Sequence, residues 1–468
     1  MKDFLGYHSE WNLGSPGGWE YQRMCQELGK LSWKRMNEAV KIDVSVDFDH
    51  AMFKPVFGFS EMLLNAHWRN FGTADAFVVL VAEEETIGNV LENDNLVRYL
   101  NTLPGVTSEM AAPHELEEAG EKVTLNGREA TVIFMDFNND VLLGIEKKHD
   151  LTALRAAISR GILVNPRGME PVGAKGVFED MTTVLSKMLT ETTVSRTPWT
   201  RRFYDRAASG PKGEEIGDLI GWTAENPDRV ILKPEHGFSG KGIFVGPLII
   251  KRGGGDKLWE ESVNTALKKG GYIVQDFIDP DLWSEELPDL DVEKGELSLK
   301  IYQTDFRCFI TDGGLVGFCA RFGGIPTNVG SGGGVQAMAL LKDGTDVVGA
   351  AREINNKVVS IGYDRVKEIA EEVGEAAVSM GLTYLLGPIK TALRPRILSE
   401  PQIKALSLYA KNLWDDSVLM EREWREGVLK DLIHLDDGAR ELSLAGYWGG
   451  SPALIASDGL FSFGAHIE

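Results

Sequence analysis

A chain of 468 residues, 43 % apolar and 25 % charged, suits a soluble globular protein of about two to four domains and excludes a mainly disordered or collagen-like one. Its 49 Lys and Arg against 70 Asp and Glu give a formal charge of −21, which repels phosphate backbones and anionic lipid surfaces; no nucleic acid and no membrane are expected as partners, although a local basic cleft could still hold a small anion. Three cysteines (Cys25, Cys308, Cys319) without CxxC spacing argue against a disulfide framework or a zinc site, and with no signal-peptide core and no run of about 18 uncharged apolar residues a cytoplasmic location is the simplest reading.

In chain order, residues 1–20 are glycine-rich with mixed charge, and residues 19–40 read as a helix. The apolar runs 77–81, 131–135 and 161–164 read as buried strands, with helical segments such as 90–103 and 151–159 between them. Short continuous apolar runs alternating with helices predict a parallel sheet, so residues 20–170 are expected to form a Rossmann-like α/β unit. From about Lys175 the texture changes. Strand signals at 229–232, 242–245, 272–275 and 307–310 are separated by glycine-rich turns at 237–242, 253–255, 313–314 and 330–334, which predicts mixed α+β structure with antiparallel hairpins. Residues 364–380 make an amphipathic helix with Val366, Ile369, Ala370, Val373 and Ala377 on one face. Most of 400–430 reads as helical and 460–467 as a strand. No internal repeat of about 20–50 residues is visible.

The densest signal is RVILKPEHGFSGKGI at 229–243. An apolar strand delivers Lys233, and a glycine loop carrying Ser239, Gly240, Lys241 and Gly242 follows at once. Such a loop lets backbone N–H groups approach an anion, and Lys233 and Lys241 would face the same anion, which suits nucleotide phosphates; a tight hairpin with exposed lysines is the alternative. The spacing is not that of a Walker A loop. The second segment, GYIVQDFIDP at 271–280, starts as a strand and ends at a Pro-limited turn. It either offers backbone groups to an adenine edge, with an acid near the ribose, or is a core strand. In the third, DFRCFITDGG at 305–314 continuing to ARFGGIPTNVGSGGG at 320–334, two strands flank a Gly-Gly hairpin and each carries an arginine. If Arg307 and Arg321 converge they could hold phosphate or developing negative charge; otherwise they are surface arginines.

Taken in order, these segments resemble the ATP-grasp superfamily, over roughly residues 160–340. Thr197-Pro198-Trp199-Thr200-Arg201 upstream of the lysine–glycine segment, with Asn165-Pro166 and then Lys175, is similar to the circularly permuted ATP-grasp proteins related to glutathionylspermidine synthase. The resemblance implies roles. HSEWNLGSPGG at 8–18 looks like the family's ExNxxxPG metal segment, moved to the start of the chain by permutation. Glu10 and Asn12, two apart on a strand, point the same way and offer hard oxygens to Mg²⁺. Asp458, in SDGLFSF at 457–463, resembles the third metal ligand, which requires the chain ends to meet; Asp3 and the terminal Glu468 are rivals for that place. Arg201, Lys233, Ser239, Gly240, Lys241 and Gly242 would hold ATP phosphates. Gln275, Asp276, Phe277 and Ile278 would hold adenine and ribose, with Asp279 a ribose contact. Arg307, Arg321 and Asn328 would stabilise an acyl phosphate. The pair Arg394 and Arg396 is read either as a substrate-carboxylate site or as solvated surface, and His114, Asp136, Asn138, Asn139 and Asp140 as lining for an acceptor pocket or as polar turns.

No GxSxG, no HExxH and no Cys–His pairing is visible. That absence suits ATP-grasp chemistry, in which a substrate carboxylate attacks the γ-phosphate and an amine displaces phosphate from the acyl phosphate. The expected architecture is therefore α/β, partly α+β: a permuted metal-binding strand at 1–20, a Rossmann-like domain at 21–172, an ATP-grasp nucleotide module at 173–345, and a helical region at 346–468 closing onto the first strand. The expected function is ATP- and Mg²⁺-dependent joining of a small-molecule carboxylate to an amine; loading of a carboxylate onto a carrier-protein thiol, phosphotransfer on the same fold, and a binding protein with a degenerate site are the alternatives. The acid, the amine (amino acid, peptide or carrier protein) and the oligomeric state, a homodimer included, stay open.

Overall fold

Strand Ala76–Val81 has no exposed residue, and its neighbours are equally apolar; such runs need cover on both faces, and they get it. Four parallel strands lie in the order Val106–Ala111, Ala76–Val81, Val132–Met135, Leu163–Val164. Val78, Leu80, Val132 and Phe134 pack with the helices Pro55–Asn70 and Leu91–Leu100, while Phe77, Val79, Val81 and Ile133 pack with the helix Thr152–Ser159. The computed structural model describes residues 6–237, 241–329, 332–384, 387–429 and 435–460 of this mixed α/β protein.

The larger architecture is a seven-stranded sheet. Its order is Tyr7–Asn12, Leu454–Leu460, Glu296–Thr311, Gly314–Gly323, Gly334–Gln336, Lys390–Thr391, with Ser284–Asp291 paired to the first half of the long strand. Every pairing is antiparallel except the last, Gly334–Gln336 with Lys390–Thr391. Its two faces have different cover. Phe306, Cys308, Ile310, Phe318 and Ile455 meet Leu406, Tyr409, Ala410 and Leu413 of the helix Glu400–Arg425, which a Ser399–Gln402 capping box starts. Phe309, Cys319, Val335 and Ala456, one step along each strand, meet Cys25 and Leu28 of the helix Trp19–Ala39. A separate antiparallel sheet in the order Thr200–Arg202, Tyr272–Asp276, Val230–Pro234, Phe244–Val245 backs onto the helix Gly255–Lys269.

Several elements differ from their sequence reading. The helix Trp19–Ala39 and the strand Val46–Asp47 serve the large-sheet layer as much as the parallel unit; Val46–Asp47 pairs with Met338–Leu341. The last strand is Leu454–Leu460, earlier than the run expected at 460–467, whose remainder lies outside the described residues. Arg394 and Arg396 are neither substrate-facing nor solvated: they are 1 % and 0 % exposed and pair with the two oxygens of buried Glu285 at 2.8 and 3.1 Å. The Glu285 side chain thus ties Ser284–Asp291 to Arg396–Leu398. Glu285→Gln, which leaves both guanidinium groups buried without a counter-charge, is expected to cost about 3–5 kcal/mol of stability, read as a lower urea midpoint with an unchanged slope.

Candidate functional site

The first and last strands of the described residues pair. Tyr7–Asn12 runs antiparallel to Leu454–Leu460 with Glu10 opposite Asp458, and a register shift between His8 and Glu10 turns Glu10 to the face opposite His8. Directly opposed residues of an antiparallel pair share a face. Asp458 is in turn opposite Arg307, and Asp305 is opposite Arg321, so five charged side chains project from one face of the sheet. Asn165 locks this arrangement: its buried amide donates to the carbonyls of Gly14 (2.9 Å) and Leu454 (2.7 Å), and its Oδ1 accepts from the Leu454 N–H at 2.7 Å.

Within that cluster Asp458 accepts from Arg307 at 2.6 and 2.8 Å and lies 3.0 Å from Arg321. Arg321 also donates to both oxygens of Asp305, at 2.7 and 2.6 Å, and reaches Asn328 Oδ1 at 3.4 Å; Thr327 completes the Asp305 shell at 2.6 Å. Burial works against the Asp458 charge, but Arg307 and Arg321 outweigh it and hold the carboxyl well below the usual range. Arg307 also donates to the Gly17 carbonyl at 2.8 Å. The next residues are tied to the parallel sheet: Ser15 donates to the Met135 and Phe137 carbonyls, and Glu92 accepts from the N–H groups of Gly18, Glu20 and Tyr21.

The four-stranded sheet supplies the other wall. Thr200, Arg202, Gln275 and Lys233 lie on one of its faces, because opposed pairs Arg202–Ile273–Lys233 and Thr200–Gln275 alternate with the core pairs. Lys233 Nζ donates to Gln275 Oε1 at 2.7 Å, and Gln275 donates to Thr200 Oγ1 at 2.9 Å. Burial pulls the Lys233 ammonium down to about 8, with Lys175 acting the same way and Glu10 and Asp458 opposing; these four groups share one field. Lys175, 7 % exposed, donates to Glu10 Oε1 at 2.9 Å and to the Gly237 carbonyl. Lys175 belongs to the site by this geometry; the sequence resemblance includes it after Asn165-Pro166 but gives it no role.

Other candidate residues are placed differently. Arg201 does not join Lys233: it points to the opposite face, donates to the Ser209 carbonyl and hydroxyl at 3.1 and 2.6 Å, and lies over Trp199. Asp276 likewise turns to that face and pairs with Arg229 at 3.2 Å. Lys241 is exposed, and Gly242 closes its loop by accepting from Tyr272 Oη at 3.1 Å; Ser239, Gly240, Asp3 and Glu468 lie outside the described residues. Asp276, Phe277, Ile278 and Asp279 line a cavity of about 440 Å³ together with Tyr7 and Leu282. Asp136 is hydrogen-bonded to Asn93 at 2.5 Å, Asn139 holds Ser443 at 3.1 Å, Asn138 packs against Gly14, and His114 stacks on His149.

Among the described residues no three His, Cys, Asp or Glu side chains converge as a metal centre. Two carboxylates on one rung and an amide two residues on are nevertheless hard oxygen donors. The buried Asn12 Nδ2 has no partner among the described residues, which leaves a donor for an oxygen of a bound anion. Those donor types fit Mg²⁺ at Glu10 and Asn12 beside Asp458, whose two oxygens are also held by Arg307 and Arg321. No protein-family model matches the chain, and no curated protein matches it significantly.

Behind the rung, on the opposite face, His8 is fully buried between Trp11, Phe178 and Tyr409. Thr197 gives its proton to the Thr193 carbonyl, so His8 donates to Thr197 from Nε2 (2.7 Å) and accepts at Nδ1 from Tyr409, 3.3 Å away. Burial pulls His8 down to about 3. The imidazole is neutral in the fold, while in the unfolded chain it takes a proton near 6.5, so stability is lost as pH falls from about 6.5 towards about 3, by up to about 5 kcal/mol. Urea unfolding across that window is expected to show a steeper acid-side loss for the wild type than for His8→Gln; equal slopes would contradict the neutral assignment.

Proposed function

We propose that the chain is an ATP- and Mg²⁺-dependent ligase of circularly permuted ATP-grasp type, which activates a substrate carboxylate as an acyl phosphate and passes it to an amine. The observation that carries this reading is the Glu10–Asp458 rung with Lys175, Lys233, Arg307 and Arg321 around it. Counting Asp305, four cations stand against three carboxylates, a local positive excess in a chain of charge −21. Such a site selects a small polyanion while the rest of the surface repels larger ones.

In this reading Lys175 and Lys233 hold the nucleotide phosphates, and the strand end at Gln275–Ile278 takes adenine and ribose, with Asp279 at the mouth of the adjoining cavity. Glu10, Asn12 and Asp458 hold Mg²⁺, which neutralises and orients phosphate oxygens when bound. Arg307 and Arg321, preset by Asp458 and Asp305, face the charge that develops as the carboxylate oxygen bonds to the γ-phosphorus and ADP leaves; Asn328 sits beside them. The amine then attacks the acyl carbon and inorganic phosphate departs. Fixed guanidinium groups need no reorganisation at that moment, and no protein nucleophile is required.

A phosphate-release screen over amino acids and amines tests the reading. Lys233→Met and Glu10→Gln are each expected to lower substrate-dependent ADP release by at least about 100-fold, on the order of 3 kcal/mol of transition-state stabilisation; wild-type release in either variant removes the assignment. Because Lys233 must be an ammonium to meet phosphate, nucleotide affinity is expected to fall as pH rises past about 8, and Lys233→Arg to abolish that dependence. An affinity flat across that range in the wild type would take Lys233 out of the phosphate site.

A further inference from the structure

A second cavity, of about 680 Å³, opens at the end of the four-stranded sheet away from the Asp276–Asp279 turn. Tyr204, Tyr272, Ile220 and Leu267 form its apolar walls. Its floor is ionic. Arg202, 4 % exposed, donates to the two oxygens of Asp180 at 3.0 and 2.7 Å and to Glu235 Oε1 at 3.2 Å. Glu179 stands 3.6 Å from Arg202 and is gripped by Arg206 at 2.7 Å. With exposed Asp205, four carboxylates line the cavity against two guanidinium groups. Asp180 and Glu235 are 1 % and 2 % exposed, and Glu235 Oε2 has no hydrogen-bond partner among the described residues. Arg206 is committed to Glu179 through Nη2, while its buried Nε has no acceptor among them. Burial pushes the Asp180 carboxyl up, Arg202 opposes, and Glu179 and Glu235 add to the rise.

An excess of buried negative charge is costly until a cation meets it. The walls here are aromatic and aliphatic, so the complementary guest carries its cation at one end and an apolar body at the other. We propose that this cavity binds an organic ammonium compound with an aromatic or aliphatic body, the ammonium against Glu235 and the body between Tyr204, Tyr272 and Leu267. The inference does not depend on the ligase reading, and its readout is binding rather than turnover.

Calorimetric titration of the full chain with three probes that share a three-carbon chain on a phenyl ring and differ in charge decides it: 3-phenylpropylamine, 3-phenylpropanol and 3-phenylpropionate. The amine is expected to bind one per chain, at least about tenfold tighter than either of the others. Leu267→Trp, which fills the cavity, and Glu235→Gln, which removes the charge, are each expected to weaken it by about tenfold or more; where Leu267→Trp does not fold, Val184→Trp, at another residue lining the cavity, gives the same readout. Equal affinity for the three probes, no binding of the amine at millimolar concentration, or amine binding untouched by the folded variants would overturn the proposal.

Discussion

Everything at the candidate site depends on the antiparallel pairing of Tyr7–Asn12 with Leu454–Leu460. Residues more than four hundred positions apart in the chain become neighbours on one rung. A shift of one residue in that register would send Glu10 to the buried His8 face and His8 to the charged one. Three contacts oppose the shift: the Asn165 amide joins Leu454 to Gly14, the His8–Thr197–Tyr409 bonds fill the core behind, and Tyr409 also reaches Ser457 at 2.9 Å. Each is buried, where an unmade hydrogen bond is expensive. The fold is therefore specified most firmly where it presents its most expensive charges.

Those charges are arranged in alternation. Arg307, Asp458, Arg321 and Asp305 form one chain of short ion pairs across three strands, and Lys175 and Lys233 approach from the other sheet. A buried guanidinium held by a carboxylate on its far side keeps both its charge and its direction. Asp305 and Asp458 thus aim the arginines, while the half-buried Glu10 pairs with Lys175. The parallel sheet is mechanically joined to this cluster, because Gly17 meets Arg307 and Gly18 meets Glu92.

Much of this was legible in the residues, for reasons that are local. Runs such as 77–81 and 131–135 have no other soluble use than a doubly covered strand. The lysine–glycine segment, the Gln275 strand end and the two arginine strands stand out by residue type, and the structure places Lys233 beside Gln275 and in the field of Asp458, which Arg307 and Arg321 hold. What was not legible was mostly orientation. In Thr200-Arg201-Arg202 the adjacent arginines necessarily face opposite sides, and nothing in the sequence says which one faces Lys233; the same ambiguity holds for Gln275 and Asp276. Strand 284–291 carries four acidic residues in eight and does not alternate cleanly, while 296–303 alternates but buries neither face, so the 16-residue strand was read only at its apolar end. Arg394 and Arg396 could be read only as substrate-facing or as surface, because their partner, Glu285, is more than a hundred residues earlier in the chain.

The central claim is that the rung formed by the two chain ends holds a divalent cation over bound nucleotide. Mn²⁺ binding followed by electron paramagnetic resonance, with and without a non-hydrolysable ATP analogue, tests it most directly. The account predicts Mn²⁺ bound tightly only with the analogue present, and its release in Glu10→Gln and in Asn12→Ala. Mn²⁺ bound equally well by the wild type and both variants, or bound without regard to nucleotide, would contradict it.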